Sequence, residues 1–259
     1  MGGWWADGAA YERYVGRWSR PVATAFVRWL DVPAGRRWLD IGCGTGALTQ
    51  TLLDEVDPAA VLGVDPSEGF LEQARAQVTD PRAEFRTGDA RALPDGPFDA
   101  AVSGLSLNFV PSAQEAVAEL HRVVTPGGVA AAYVWDYPHG LELVRYFWDV
   151  AKSVDPAAAE LDEGTRFPIC DPEALTELWS GFDDVEVRPI EVPTVFADFD
   201  DYWTPFLGGQ GPAPSYLATL SAADQDAIRD LLRFRLPSGP DGQIVLSATA
   251  LAVRGRAKV

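Results

Sequence analysis

Residues 37–48 run Arg37-Trp38-Leu39-Asp40-Ile41-Gly42-Cys43-Gly44-Thr45-Gly46-Ala47-Leu48, and this stretch decides the fold. Arg37–Ile41 is a short apolar run that stops at a glycine cluster, the pattern of a buried parallel strand. Leu48, Leu52, Leu53 and Val56 then recur at helical spacing. A strand, a glycine turn and a helix in that order allow a ligand to approach the backbone closely, beside the positive end of the helix. Gly42, Gly44 and Ala47 also satisfy the dinucleotide fingerprint with alanine in the last place. The turn by itself is a weak signal, and a turn without a ligand is the plain alternative.

The same cycle continues on both sides. Upstream, residues 7–30 read as helical, with Tyr11, Tyr14, Trp18, Val22, Phe26 and Trp29 at helical spacing and Pro21 where one helix ends and the next begins. Downstream, Ala60–Val64 is a strand ending at Asp65-Pro66, followed by a helix carrying Phe70, Leu71, Ala74 and Val78. Ala83–Thr87, Phe98–Ser103 and Val129–Trp135 read as further strands, with a helix over about 112–124. Strands alternating with helices give an α/β fold with a Rossmann-like, doubly wound and mostly parallel sheet. The rhythm breaks after 136. A helix over 140–154, a loop region over 155–172 and a short helix over 173–180 lead to a strand at Val185–Val195. Aromatic and glycine-rich residues and a helix over 221–236 follow, and then Pro240-Asp241-Gly242 turns the chain into a last strand, Gln243–Val253. The last two strands are expected as an antiparallel pair at the sheet edge, with the helical insertions forming a cap. The expected organisation is one domain over 1–259: a ligand-binding core with an N-terminal helical lid (1–136), a cap plus edge strand (137–240) and a final edge strand (241–259).

Composition narrows the partners. The 259 residues carry 38 acidic against 21 basic side chains, a net charge of −17, and Lys152 and Lys258 are the two lysines. A surface that tracks phosphates needs clustered Lys and Arg, so nucleic acid is not an expected partner, and an anionic membrane is excluded on the same ground. Cys43, Cys170 and two histidines are too few for a disulfide framework or a structural zinc site, so no metal is expected. Met1–Trp5 lacks the basic start of a secretion signal, and no apolar run of ~20 residues occurs. A soluble cytoplasmic enzyme or binding module is the expectation.

Two further acids sharpen the glycine turn. Asp65 lies 19 residues after Gly46 at the end of the next strand, where a carboxylate can bind both hydroxyls of a ribose. Gly88-Asp89-Ala90 closes the third strand and puts another acid on the same rim. An acidic rim repels a pyrophosphate and tolerates a nucleoside with a cationic amino-acid tail. With Asp40–Gly46, Gly63-Val64-Asp65-Pro66-Ser67, Gly88-Asp89-Ala90, Phe98–Val110 and Leu120–Gly128 together, where Arg122-Val123 and Pro126-Gly127-Gly128 stand out, the sequence resembles the class I methyltransferases that use S-adenosylmethionine. The resemblance covers about residues 10–136, and the region beyond is similar to the variable substrate-recognition part of small-molecule methyltransferases in a poorly described bacterial subgroup.

The resemblance implies S-adenosylmethionine as cofactor and a role for each matching position. Asp40 would hold the methionine ammonium through water, with Gly42 and Gly44 letting the cofactor lie on the backbone. Asp65, followed by Pro66, would take the ribose diol. Asp89 would accept from the adenine amino group and the Ala90 amide would donate to a ring nitrogen. The Ser103 carbonyl would receive the ammonium. Tyr14 or Arg17 would bind the cofactor carboxylate, a solvated helix face being the other reading of Arg17. Cys43 is expected as a small packed side chain.

Methyl transfer is an in-line displacement in which alignment and exclusion of water dominate, and a base is needed only when the acceptor must lose a proton. Asp136 and His139, just after the fifth strand, are the catalytic candidates. Asp136 would accept a proton, orient an amine or simply form the turn before Pro138; His139 has a loop position as its alternative. Asn108, Trp135, Phe167 and Trp203 are candidates for the acceptor pocket, although most aromatics of this region are expected in the core. Gly208, Gly209 and Gly211 suggest a moving lid. The expected partner is a small-molecule acceptor, met by a monomer or homodimer. A cofactor-binding but non-catalytic regulatory or scaffolding relative is the alternative, and an NAD-type oxidoreductase is disfavoured by the three acids.

Overall fold

The structure is a computed structural model and describes residues 16–208 and 211–258. Its elements are α1 (Arg17–Leu30), β1 (Arg37–Ile41), α2 (Ala47–Glu55), β2 (Ala60–Asp65), α3 (Glu68–Gln77), β3 (Ala83–Thr87), β4 (Phe98–Gly104), α4 (Ala113–Val123) and β5 (Val124–Trp135). They continue with α5 (Glu142–Val154), α6 (Glu163–Arg166), α7 (Pro172–Leu178), β6 (Asp183–Phe196), α8 (Phe199–Trp203), α9 (Pro212–Thr219), α10 (Ala222–Arg235) and β7 (Ile244–Arg256). The seven strands form one sheet in the order β3-β2-β1-β4-β5-β7-β6. β1 to β5 pair in parallel, and Asp40 of β1 lies between Gly63 of β2 and Val102 of β4. β7 runs antiparallel to β5: Gly127 and Ala257 meet at one end, and the Asp136 amide donates to the Thr249 carbonyl beyond the other. The last strand is therefore inserted beside β5, and β6 is outermost.

Three local differences from the sequence expectation have physical reasons. Pro21 does not break the helix; it lies inside α1. As the fifth residue, its missing N–H and its ring affect only the carbonyl of Arg17 at the helix start. β5 begins at Val124 rather than 129 and passes through Pro126-Gly127-Gly128. Phe98 pairs with Val124 but Ala100 with Val129, so one residue of β4, Asp99, faces the four residues 125–128 of β5, and the bulge takes up the proline. The loop expected over 155–172 contains a 3-10 turn over Pro156–Glu160 and the short α6. Asp155, Asp162 and Asp171 cap these turns and α7 by accepting from the amides of Ala157, Gly164 and Ala174. The Asp155-Pro156 and Asp171-Pro172 pairs were legible start signals.

The chain divides into two compact units. One, the sheet unit, comprises Ser19–Val134, Ile169–Ile190 and Ala250–Val259. Its centre is built from Trp38 and Leu39 of β1 with Ala100, Ala101 and Val102 of β4, all fully buried. The Phe26 ring of α1 packs on Tyr133 of β5 at 4.6 Å. The other, the aromatic unit, comprises Met1–Trp18, Trp135–Pro168 and Glu191–Thr249. Phe147 stacks on Phe206 at 4.7 Å, Trp148 packs on Tyr216 at 5.5 Å, and the buried Tyr202 hydroxyl donates to the Leu143 carbonyl at 3.0 Å. No helix among the described residues is long and apolar enough to cross a membrane.

The aromatic unit also buries two adjacent carboxylates. Asp162 is held by Arg145 and by Lys152 at 3.2 Å. Glu163 is 1% exposed and accepts from the Trp148 indole. Burial pushes the Glu163 carboxyl up to about 7, with the Asp162 charge adding to the rise and Trp148 opposing it. An acid whose folded pKa is raised binds protons more tightly when folded, so stability falls as pH rises from the unfolded value of about 4.3 through 7. Glu163→Gln keeps an oxygen for Trp148 and removes the buried charge. Urea unfolding should show the variant more stable than wild type at pH 8, by on the order of 1–3 kcal/mol, with the difference shrinking towards pH 4.

Candidate cofactor site

The turn after β1 has three glycines in the left-handed region, Gly42 at φ +68°, Gly44 at +53° and Gly46 at +89°. Two of them do different work. A Cβ on Gly42 would fall 2.3 Å from Ser106 Oγ, which means the turn after β4 is seated directly on the backbone. Leu105 reaches that turn in a left-handed conformation, φ +55°, fixed by its N–H on the Tyr133 carbonyl at 2.8 Å. Ser106 Oγ donates to the Ile41 carbonyl at 3.0 Å, so the 2.7 Å contact with Ser103 Oγ has Ser103 as donor. Gly44 is the opposite case: a Cβ there meets nothing within 4 Å. Its backbone forms an open ledge.

Asp40 stands at the base of this turn and is fully buried. One oxygen, Oδ2, accepts from Thr49 Oγ1 at 2.7 Å, the hydroxyl lying in the first turn of α2. The other, Oδ1, has no hydrogen-bond partner among the described residues. Burial raises the Asp40 carboxyl to about 7; Thr49 works against the rise and the nearby Asp65 charge adds to it. A buried carboxylate lacking one partner is destabilised in its ionised form, and an added cationic donor restores it.

The other two acids of the rim are engaged by their own chain. Asp65 accepts the Gly44 amide on Oδ2 at 3.0 Å and the Ser67 amide on Oδ1 at 2.8 Å. Burial raises its pKa, and those two amides oppose the shift. Each oxygen keeps a second lone pair for a hydroxyl donor. Pro66 beside it is exposed and Ala90 is half-buried. Asp89 is clamped by Arg91, with Nε on Oδ1 at 3.1 Å and Nη2 on Oδ2 at 2.7 Å, and this holds its pKa down at about 2. Asn108, in the 3-10 turn Leu107–Phe109, buries an Nδ2 with no partner among the described residues. Asp40, Gly42, Gly44, Asp65, Asp89, Ala90, Ser103 and Asn108 all belong to the sheet unit. Thr49, Ser106 and Arg91 escaped the sequence reading; the hydroxyls at 49 and 106 were its only available signals.

The remaining candidates belong to the aromatic unit, except that Tyr14 and the Gly209-Gln210 pair lie outside the described residues. Arg17 Nη1 pairs with Asp201 Oδ1 at 2.9 Å. Trp135 is buried, and its indole nitrogen has no partner among the described residues. Asp136 Oδ1 accepts the His139 amide at 3.0 Å, its own carbonyl accepts the Gly140 and Leu141 amides, and the His139 side chain is exposed. Phe167 packs on Tyr137 at 5.4 Å, and Trp203 stacks on Phe199 at 6.3 Å.

A family model described as a methyltransferase domain matches residues 39–132. Trans-aconitate 2-methyltransferase of Deinococcus radiodurans is 30% identical over 222 residues, which cover 81% of this chain and 82% of that one. The chain belongs to the class I S-adenosylmethionine-dependent methyltransferases. Demethylmenaquinone methyltransferase of Geobacillus stearothermophilus is also 30% identical, over 198 residues covering 70% of this methyltransferase and 82% of the relative. Among solved structures, Haemonchus contortus phosphoethanolamine N-methyltransferase 2 in complex with S-adenosyl-L-methionine superposes with a TM-score of 0.60 at 20% identity, over 97% of this chain and 56% of that one. The [4+2]-cyclase SpnF does so with a TM-score of 0.57 at 18% identity, over 92% and 82%. Both show the shared fold. S-adenosylmethionine is the cofactor of the methyltransferase, and the residues present fit it: the unpartnered Asp40 oxygen suits a cationic amino-acid tail, and the Gly44 ledge leaves room for a ligand.

The two glycines should separate experimentally. Gly42→Ala meets Ser106 and should lower stability by about 2–4 kcal/mol, with partial rescue by Ser106→Gly. Gly44→Ala should cost about 1 kcal/mol for its backbone conformation yet lose S-adenosylhomocysteine binding at least tenfold. Thermal melts with and without that ligand test both.

Proposed function

We propose that the methyltransferase transfers a methyl group to a small-molecule acceptor, working in the bacterial cytoplasm as a single domain over 1–259 and as a monomer or homodimer. The observation that carries the cofactor half of this reading is the buried, unpartnered Oδ1 of Asp40. Asp40 and the Ser103 carbonyl take the ammonium, Asp65 beside Pro66 takes the ribose diol, and Asp89 with the Ala90 amide takes the adenine edge. When bound, S-adenosylmethionine supplies an electrophilic methyl on a sulfonium with a good leaving group. The chain then has to orient the acceptor and exclude water. Asn108 and Trp135 each offer an unpartnered buried N–H to an acceptor, with Phe167 and Trp203 as apolar surface. Asp136 is read as a turn-former, its Oδ1 accepting the His139 amide and its carbonyl the Gly140 and Leu141 amides, and His139 as an exposed loop residue; a base role for Asp136 is the alternative that the variant below tests.

The names of the two relatives point to a polycarboxylate and a quinone, so both chemistries belong in the acceptor screen. Turnover of S-adenosylmethionine with trans-aconitate, a naphthoquinol and a panel of small amines and phenols tests the reading; binding of cofactor with no turnover on any nucleophile supports a non-catalytic relative instead. Asp136→Asn keeps the oxygen that caps the turn and should retain the wild-type rate within twofold across pH. A hundredfold loss would make Asp136 a base. Asp40 sets the pH dependence: with its pKa at about 7 in the free protein, affinity for S-adenosylhomocysteine should weaken by up to about tenfold per unit as pH falls below 7 and level off above it. Calorimetry on Asp40→Asn should find weaker binding with that slope gone.

A further inference from the structure

Helix α10 (Ala222–Arg235) carries two apolar stripes. Ile228 and Leu232 are buried and hold it to its own unit. The second stripe faces solvent: Phe234 is 87% exposed, Ala223 and Ala227 are exposed, and Leu231 is half-buried at its margin. Steps of four, four and three residues keep these side chains on one face of a helix with 3.6 residues per turn. A single exposed ring needs no explanation. The order of the charges around this one does.

Those charges are segregated along the helix. Asp224 and Asp226 border the two alanines, and Arg233 and Arg235 border Phe234. Asp224 and Arg235 are eleven residues apart, close to three turns, and so lie on one flank of the stripe. Asp226 and Arg233 are seven apart, close to two turns, and lie on the other. In two copies of α10 laid antiparallel, with Phe234 of each over Ala223 and Ala227 of the other, like flanks meet. Arg235 then stands beside the Asp224 of the second copy, and Arg233 beside its Asp226. A parallel pair instead sets Asp224 against Asp226 and Arg233 against Arg235, which repels. Size is matched as well, since two methyl side chains leave room for a ring at close helix approach. The charges are available: Asp226 pairs with Arg229 and Arg233 with Asp200 only as exposed surface pairs, which exchange partners at little cost. Arg235 has no ion pair among the described residues.

We propose that the exposed face of α10 is the seam of a homodimer, in which two copies pair antiparallel about a two-fold axis, Phe234 seated on the alanines and both flanks closed by Asp–Arg pairs. This chooses the dimer from the two assemblies named under the proposed function and holds whatever the acceptor is. The contact is isologous, so it closes at two copies. A seam of 14 residues, about 21 Å long, is small for a protein interface, and the dimer dissociates on dilution. Sedimentation velocity on the full chain from about 1 to 200 μM is expected to show a monomer–dimer equilibrium. Phe234→Glu is expected to weaken dimerisation at least tenfold, and so is Arg235→Glu, which sets an acid against Asp224. Asp224→Arg combined with Arg235→Glu reverses both charges of the pair and is expected to return dimerisation to within threefold of wild type. Melting temperatures check that each variant folds, and unchanged S-adenosylhomocysteine binding keeps a failure of the seam separate from a failure of the cofactor site. A wild type that stays monomeric throughout, leaving this face to a different protein, overturns the proposal. A dimer that Phe234→Glu and Arg235→Glu both leave within twofold of wild type overturns it too, and a charge-swapped double variant no better than Arg235→Glu alone overturns the antiparallel pairing.

Discussion

A carboxyl buried with one oxygen satisfied and the other bare, at the end of the central strand, is the constraint on which the rest of the sheet unit depends. Asp40 sits where parallel neighbours on both sides exclude water. The crowding there is severe: a Cβ on Gly63 would fall 2.7 Å from the Phe85 ring and 3.0 Å from Cys43 Sγ. Cys43 is accordingly a packing residue, its thiol pushed far up by burial and by the charges of Asp40 and Asp65, and so chemically quiet. With Thr49 as its hydroxyl donor, Asp40 is only partly ionised near neutral pH, and a cation arriving beside it favours the ionised form. A binding site for a cation is thus built as an electrostatic deficit before any ligand is present.

The cofactor half was legible in the sequence because its requirements are backbone requirements. Glycines at 42, 44 and 46 and acids at 40, 65 and 89 declare themselves at fixed offsets from strands, and the strands declare themselves as apolar runs. What stayed hidden were side-chain partners close in sequence. Arg91 clamps Asp89 from two residues away, and the Ser67 amide reaches back to Asp65 over the same distance. Neither pair follows from strand or helix periodicity. Pro126-Gly127-Gly128 stand ahead of the strand expected from Val129, yet pairing with β4 and β7 carries the strand through them. Tertiary pairing overrode local propensity there.

The acceptor half was less legible, and for a different reason. Aromatic density suggested a pocket, but Phe147, Trp148, Tyr202 and Phe206 pack against one another as the interior of their unit. Such residues satisfy a folding requirement first. Relatives named for a polycarboxylate and for a quinone are each 30% identical to this chain over the residues they share, and a cyclase shares its fold. Neither the fold nor an aromatic count therefore discriminates among acceptors. Unsatisfied polar atoms discriminate better, because each one specifies the sign and shape of its missing partner.

Those atoms have a consistent polarity. Among the described residues, the buried side-chain atoms left without partners are one carboxylate oxygen, on Asp40, one hydroxyl, on Thr194, and otherwise nitrogen donors. A chain with a net charge of −17 is rich in acceptors overall, yet most of those acceptors are solvated on its surface, where water satisfies them. Its interior is short of acceptors instead. Net charge therefore forecasts the partners the surface avoids, polyanions above all, and says little about what the interior lacks. In the aromatic unit the atoms left over are mostly donors, on Arg17, Trp18, Trp135 and Arg145, whereas in the sheet unit the Asp40 oxygen lacks a donor.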